Sequence, residues 1–399
     1  MRLSTRASHL KASPTLKLAA RAKELSAQGH DVISLTVGEP DWPTYPAASQ
    51  AGHEAIDQNI TKYTPANGTL DLRKTIAKKV KEDLGLQYEP TEVVVGPGNK
   101  FVIFSALQVL CSPGDEVIIQ APYWVSYPTM IELADAKPVV VKTTAKENFK
   151  LQAEEFEKAI TPKTKAILFC SPCNPTGLHY TVEELKKFVD ILKRHPQVFV
   201  LSDDIYNRLL LNGEKVAPHL LQMAPELKDR VIAFNGGSKA YSMTGWRIGW
   251  ATGPKDVIQA MGDYQSQATG APSSIAQHAA IAAIEKCEPD IAKTIELLRK
   301  RKAVAMESIQ KIPGLQFSEP TGAFYLWVDV SHYLGKKFEN QTIEDDRQIS
   351  QILLEKYFVG TVPGMEAGVN GFLRLSFAVQ EAKIQAACQR MHDFFTQLK

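Results

Sequence analysis

Four short segments carry residue types that could hold an anion, a carbonyl group and a mobile proton. Gly96-Pro97-Gly98-Asn99-Lys100 follows a β-branched run and opens a helical stretch. Free backbone N–H groups and the helix dipole at such a start can hold a phosphate. The third glycine of a G-x-G-x-x-G fingerprint would fall at Phe101, so this turn reads neither as a dinucleotide loop nor as a Walker loop. Ser171-Pro172-Cys173-Asn174-Pro175-Thr176-Gly177 sets an asparagine before a proline, which is also ordinary turn chemistry. Ser202-Asp203-Asp204-Ile205-Tyr206 places two carboxylates side by side, able to bind a metal, cap a helix or face a cation. Within residues 236–249, Lys239 sits among small residues with Arg247 eight positions on, an unusual use of bulky cations.

The elements that must position these residues alternate. Val93-Val94-Val95, Glu116-Val117-Ile118-Ile119, Lys165-Ala166-Ile167-Leu168-Phe169, Val198-Phe199-Val200-Leu201 and Val231-Ile232-Ala233-Phe234 read as strands. Residues 101–110 read as a buried helix, and the T-x-x-E capping box of Thr181 and Glu184 opens another through about Lys193. The rhythm predicts an α/β fold, a mostly parallel sheet between two helical layers. Residues 1–45 hold one amphipathic helix and the short strand Val32-Ile33-Ser34-Leu35. A long helix from about Asp290 to Lys311 leads to strands at Phe324-Tyr325-Leu326-Trp327-Val328 and Leu373-Arg374-Leu375-Ser376-Phe377. The expected organisation is an N-terminal segment or lid (1–45), a large domain (46–295) and a small C-terminal α+β domain (296–399) that both chain ends build.

Ligands of open α/β sheets bind outside the carboxyl ends of the strands. There a phosphate cradle, an Asn, an Asp, a Tyr and a Lys would meet, a set that suits pyridoxal 5′-phosphate. The chain resembles the fold-type I pyridoxal-phosphate aminotransferases of class I, and within them the bacterial aspartate aminotransferases. The resemblance rests on Gly38-Glu39-Pro40-Asp41, residues 63–68, Pro122-Tyr123-Trp124, Asn174-Pro175-Thr176-Gly177, Asp203-Asp204-Ile205-Tyr206, residues 238–247 and Arg374-Leu375-Ser376, which run in family order along nearly the whole chain.

The resemblance implies a role for each matching residue. Lys239 would bind the cofactor covalently and act as acid and base. Asp203 would face the pyridine nitrogen, Asn174 and Tyr206 the phenolic oxygen, and Trp124 would stack on the ring. Backbone N–H groups of Asn99 and Lys100, with Ser238 and Arg247, would hold the phosphate. Tyr63 would reach the phosphate of a neighbouring subunit, which implies a homodimer with shared sites. Arg374, with the backbone of Gly38, would grip the substrate α-carboxylate, a task suited to a planar bidentate cation. Lys100, helped by Ser13 and Thr15, would take the distal carboxylate of aspartate or glutamate. Asp204 stands where Glu is more usual and is expected to be structural.

The implied reaction is ping-pong transamination between L-aspartate and 2-oxoglutarate, closed off from water by the small domain. Phe101, Cys173, Pro97 and Asn99 depart from the family pattern around the cofactor and bear on fine specificity. Prephenate or aromatic amino acids therefore stay open as substrates on the same framework.

Length and composition bound the remaining classes. The chain has 399 residues, is 44% hydrophobic and 23% charged, and carries a net charge of +2. That describes a globular protein without a basic footprint for nucleic acid. A ligand-sensing regulator would need an added DNA-binding domain, for which motifs beginning at residue 38 leave no room. Five cysteines argue against a disulfide framework, and the Cys170–Cys173 pair lacks the second pair a zinc site needs. No signal-peptide pattern and no membrane-length apolar run is present, so a cytoplasmic protein acting on small amino and 2-oxo acids is expected.

Overall fold

Strand runs that are apolar throughout belong in a sheet covered on both faces, and that is where this chain puts them. The computed structural model describes residues 14–399, with side chains from Lys17 onward. Its main sheet has seven strands in the order Val93–Gly96, Gly249–Thr252, Val231–Gly236, Phe199–Asp203, Thr164–Cys170, Glu116–Ala121 and Lys137–Lys142. Every residue of Val93–Gly96 and Glu116–Ala121 is buried. All pairings are parallel except those of Gly249–Thr252, which runs antiparallel to both neighbours.

Two strands lie outside the sequence expectation, for different reasons. Lys137–Lys142 closes one edge of the sheet, where its lysines are exposed and Pro138 is tolerated. Gly249–Thr252 is short and follows a glycine-rich loop, so no alternating pattern marks it. Its reversed direction matters to the site, because its start rather than its end lies at the carboxyl edge, with Gly249 in register with both Gly96 and Gly236. A Cβ at Gly249 would collide with the backbone nitrogen of Asn99, so only glycine lets the two segments close up.

Helices cover both faces. The expected buried helix begins at Asn99 and ends at Leu110, with Gly98 as its N-cap. The capping box forms as expected. Thr181 Oγ1 accepts from Glu184 N at 3.3 Å and Glu184 Oε2 accepts from Thr181 N at 2.7 Å, opening Val182–Arg194.

A second core gathers around a four-stranded antiparallel sheet in the order Val362–Pro363, Phe372–Ser376, Tyr325–Asp329 and Gln316–Phe317. Ile33–Ser34 pairs in parallel with Val359–Gly360, and Ser376 N donates to Leu35 O at 2.9 Å. The early chain is thus stitched to the late chain. Helix Pro14–Ala27 packs there through Ala22 and Leu25 on Leu354, and Arg21 pairs with Glu355 at 2.7 Å. The 23-residue helix Glu288–Gln310 puts Ile291 in the core of the main sheet and Leu298, Ala305 and Ile309 in the second core. One rigid element therefore sets the spacing between the two cores. Among the described residues, no helix is long and apolar enough to cross a membrane.

Candidate active site

A cavity of about 290 Å³ opens at the carboxyl edge of the main sheet, where it faces the second core. Its wall is charged unevenly. Among the described residues, Lys100, Lys239, Arg247 and Arg374 line it against one carboxylate, Asp203. Such an excess of cations in a partly closed, low-dielectric space selects a ligand with several negative charges.

Asp203 ends the strand Phe199–Asp203 and is held by donors on both oxygens. Asn99 Nδ2 donates to Oδ1 at 2.8 Å, and Ile205 N donates to the same oxygen at 3.4 Å. The hydroxyl of Tyr127 donates to Oδ2 at 2.7 Å. Burial pushes the Asp203 carboxyl up, while these hydrogen bonds and the Lys239 charge work against that shift.

Lys239 lies half-buried in the turn after the strand Val231–Gly236. Its amine donates to the backbone carbonyl of Gly38 and stands 5.9 Å from the Tyr206 ring and 6.0 Å from the Phe324 ring. Burial, then the charge of Arg374, lowers its pKa to about 8. A neutral amine is therefore accessible near neutral pH, as a nucleophile or base requires.

Arg374 is buried on the strand Phe372–Ser376. It donates from Nη1 to Asn174 Oδ1 at 2.9 Å and from Nη2 to Thr36 O at 2.5 Å, and lies 4.6 Å over the Tyr325 ring. With its carbonyl committed to Arg374, Asn174 has its amide nitrogen left to donate. The hydroxyls of Tyr206 and Tyr325 share a 2.7 Å hydrogen bond. A Cβ at Gly38 would sit 2.5 Å from the Tyr325 hydroxyl, which explains a glycine at this point of closest approach.

At the other end of the cavity, Arg247 Nη1 donates to Thr244 O at 2.9 Å beside Ser238. The first backbone N–H groups of helix Asn99–Leu110 have no intrahelical acceptor. Lys100 sits on the rim, its ammonium 4.9 Å over the Trp124 ring, and partial burial and the Arg247 charge lower its pKa. Trp124 meets Tyr127 edge-on, with centroids 5.4 Å apart.

The cavity wall thus contains Gly38, Asn99, Lys100, Trp124, Asn174, Asp203, Tyr206, Ser238, Lys239, Arg247 and Arg374 together. Tyr63 is not among them; its side chain is fully exposed. Ser13 and the side chain of Thr15 lie outside the described residues. Sequence reasoning missed Tyr127 and Tyr325. The W-x-x-Y spacing from Trp124 was the available signal for Tyr127, whereas Tyr325 reads only as part of an apolar strand.

The donor set fits pyridoxal phosphate on the wall's own chemistry. Lys239 offers an amine, and Asp203 a carboxylate for a ring nitrogen. Arg247 and a helix start offer a phosphate seat. Two buried polar atoms of the wall, Asn99 Oδ1 and Arg374 Nε, have no partner among the described residues, which is the mark of a site built for something more. Among the described residues no cluster of three metal-ligating side chains occurs.

Residues 30–391 match the family described as aminotransferase class I and II. The aspartate/prephenate aminotransferase of Cereibacter sphaeroides is 42% identical, over 98% of each chain. Two solved structures share the architecture. The aspartate aminotransferase from Rhizobium meliloti is 38% identical, covers 100% of both chains and has a TM-score of 0.96. The aspartate aminotransferase from Thermus thermophilus with maleate is 37% identical, covers 99% of this chain and 100% of its own, and has a TM-score of 0.92.

Proposed function

Because the chain belongs to the class I and II aminotransferases, we propose that it transfers the amino group of L-aspartate to 2-oxoglutarate, giving oxaloacetate and L-glutamate in two half-reactions. Pyridoxal 5′-phosphate, when bound, supplies the carbonyl that accepts the amino group and the ring that withdraws electrons. Lys239 would hold it and carry the proton that leaves the substrate Cα. Asp203, fixed by Tyr127 and Asn99, would keep a negative charge against the ring nitrogen. The Asn174 amide and the Tyr206 hydroxyl would donate to the phenolic oxygen, and Trp124 would cover one ring face. Ser238, Arg247 and the N–H groups of Asn99 and Lys100 would hold the phosphate.

Arg374 and the Gly38 backbone would orient the α-carboxylate, and Lys100 would draw in the distal carboxylate, with Ser13 and Thr15 beside it. The Thermus thermophilus relative with maleate, itself a dicarboxylate, supports this assignment. Tyr63 would complete the phosphate site of a second copy in a homodimer. Its full exposure supports that role, as do the exposed apolar side chains of Ile56 and Leu70. Five free cysteines suit the reducing cytoplasm to which we assign the protein.

The observation that carries the reading is the Lys239 amine sharing a single cavity with one carboxylate and two arginines. The name of the Cereibacter sphaeroides relative favours a second acceptor, prephenate. A steady-state panel of donors and acceptors tests both. Turnover with L-aspartate and 2-oxoglutarate above that with L-phenylalanine supports the first reading, and turnover with prephenate adds the second. A preference for L-phenylalanine would overturn the dicarboxylate assignment.

A further inference from the structure

Asp203 and Asp204 are neighbours in the chain with opposite surroundings. Asp203 lines the cavity. Asp204 instead borders two small voids behind it, of about 20 and 40 Å³, each also bordered by His219. No lysine or arginine lines either void.

The groups that face Asp204 can be counted. Ser202 Oγ donates to Oδ1 at 2.6 Å, and His219 Nε2 stands 3.5 Å from Oδ2. The Tyr88 phenol and the side chains of Asn207 and Asn235 border the larger void. Asn235 Nδ2 is committed to Asn207 Oδ1 at 3.0 Å. His219 Nδ1 accepts from Leu221 N at 3.2 Å, so its proton sits on Nε2 and the ring is the neutral tautomer. The Asp203 carboxylate completes the set from the adjacent residue.

Of two buried carboxyls on adjacent residues, the one with more hydrogen-bond donors ionises more easily, and its charge then disfavours ionisation of the other. Asp203 accepts from Tyr127, Asn99 and the Ile205 backbone. Asp204 has one short hydrogen bond and a distant imidazole. We infer that Asp204 is a protonated, neutral carboxylic acid at neutral pH, a positioning residue that lets Asp203 alone present negative charge to the cavity. Burial and the Asp203 charge act in the same sense, raising the Asp204 carboxyl to about 8, while burial holds the His219 imidazole down at about 4. A charged Asp204 would instead raise the proton affinity of Asp203 and weaken its hold on a ring nitrogen. The inference rests on the proposed role of Asp203, but its test reads the carboxyl itself.

The test is infrared difference spectroscopy of the protein loaded with pyridoxal phosphate, wild type minus Asp204→Asn, at pH 7. The expected result is a carbonyl stretch of a protonated carboxylic acid, present in wild type and lost in the variant. Only ionised-carboxylate bands in the difference would overturn the inference. His219→Gln covers the case in which Asp204→Asn does not fold. A neutral Asp204 gives the acid band in wild type and in His219→Gln alike. A band that appears only in His219→Gln would make His219 the counter-cation of an ionised Asp204, and the inference would fall. Folded Asp204→Asn should also keep turnover, since it matches the shape and charge of the neutral acid, and loss of turnover would count against the inference. Absence of turnover in wild type would bear on the proposed reaction and leave the infrared result standing.

Discussion

The Tyr127 hydroxyl donates to Asp203 Oδ2 at 2.7 Å, from a helix that starts three residues after Trp124. Charge-assisted bonds of this kind contribute about 1.5–3 kcal/mol. Tyr127→Phe should therefore lower kcat roughly 10- to 100-fold, by the conversion of about 1.4 kcal/mol per decade, with a smaller effect on KM. Steady-state kinetics check this. An unchanged kcat would mean that Asp203 does not need the tyrosine.

Lys239 makes a stability prediction with a definite sign. Its folded pKa is lowered from 10.5 to about 8, so between those values the unfolded chain binds more protons. Stability should then rise with pH across that window, and burying the charge costs most below pH 8. In cofactor-free protein, Lys239→Met should raise Tm at pH 7, and the gain should shrink as the pH climbs from 8 towards 10.5. Thermal melts over that range decide. A gain that stays constant would mean that the lysine titrates normally.

Arg374 is buried, and each of its two terminal nitrogens gives one hydrogen to Asn174 or Thr36 and keeps a second for a carboxylate. A lysine cannot reproduce that fork. Arg374→Lys should lower kcat/KM for every amino acid by about 100-fold, the order expected for a lost charge-assisted pair of roughly 3 kcal/mol. An effect confined to one substrate would assign Arg374 to side-chain recognition instead.

Lys100 stands on the rim over Trp124. Its replacement in Lys100→Met should lower kcat/KM for L-aspartate and leave that for L-alanine nearly unchanged, measured on the same preparation. Equal losses for both would move Lys100 to the phosphate end of the site.

Much of this site was legible in the sequence because parallel strands announce themselves. Glu116–Ala121 and Thr164–Cys170 are mostly apolar and almost wholly buried, and their carboxyl ends point to where ligands bind. Asp203 and Lys239 could be read from position, as polar groups just beyond such runs, and Arg247 as a second cation in the same loop as Lys239. Tyr325 could not, since a phenol inside an apolar strand looks like core, and Tyr127 left only its W-x-x-Y spacing from Trp124 as a signal. The edge strand Lys137–Lys142 escaped for the opposite reason, because exposed lysines close both its ends and a proline breaks its apolar run. The direction of Gly249–Thr252 is set by its partners and leaves no local trace.

The most direct test of the account is an absorbance spectrum of the purified protein with pyridoxal phosphate, before and after L-aspartate is added without any 2-oxo acid. A visible band that is absent in Lys239→Ala is the expected result. In wild type, L-aspartate should convert that band to the shorter-wavelength form of the aminated cofactor and release oxaloacetate. A band that ignores L-aspartate but responds to L-phenylalanine would contradict the substrate assignment. No band in wild type after incubation with the cofactor would contradict the role given to Lys239.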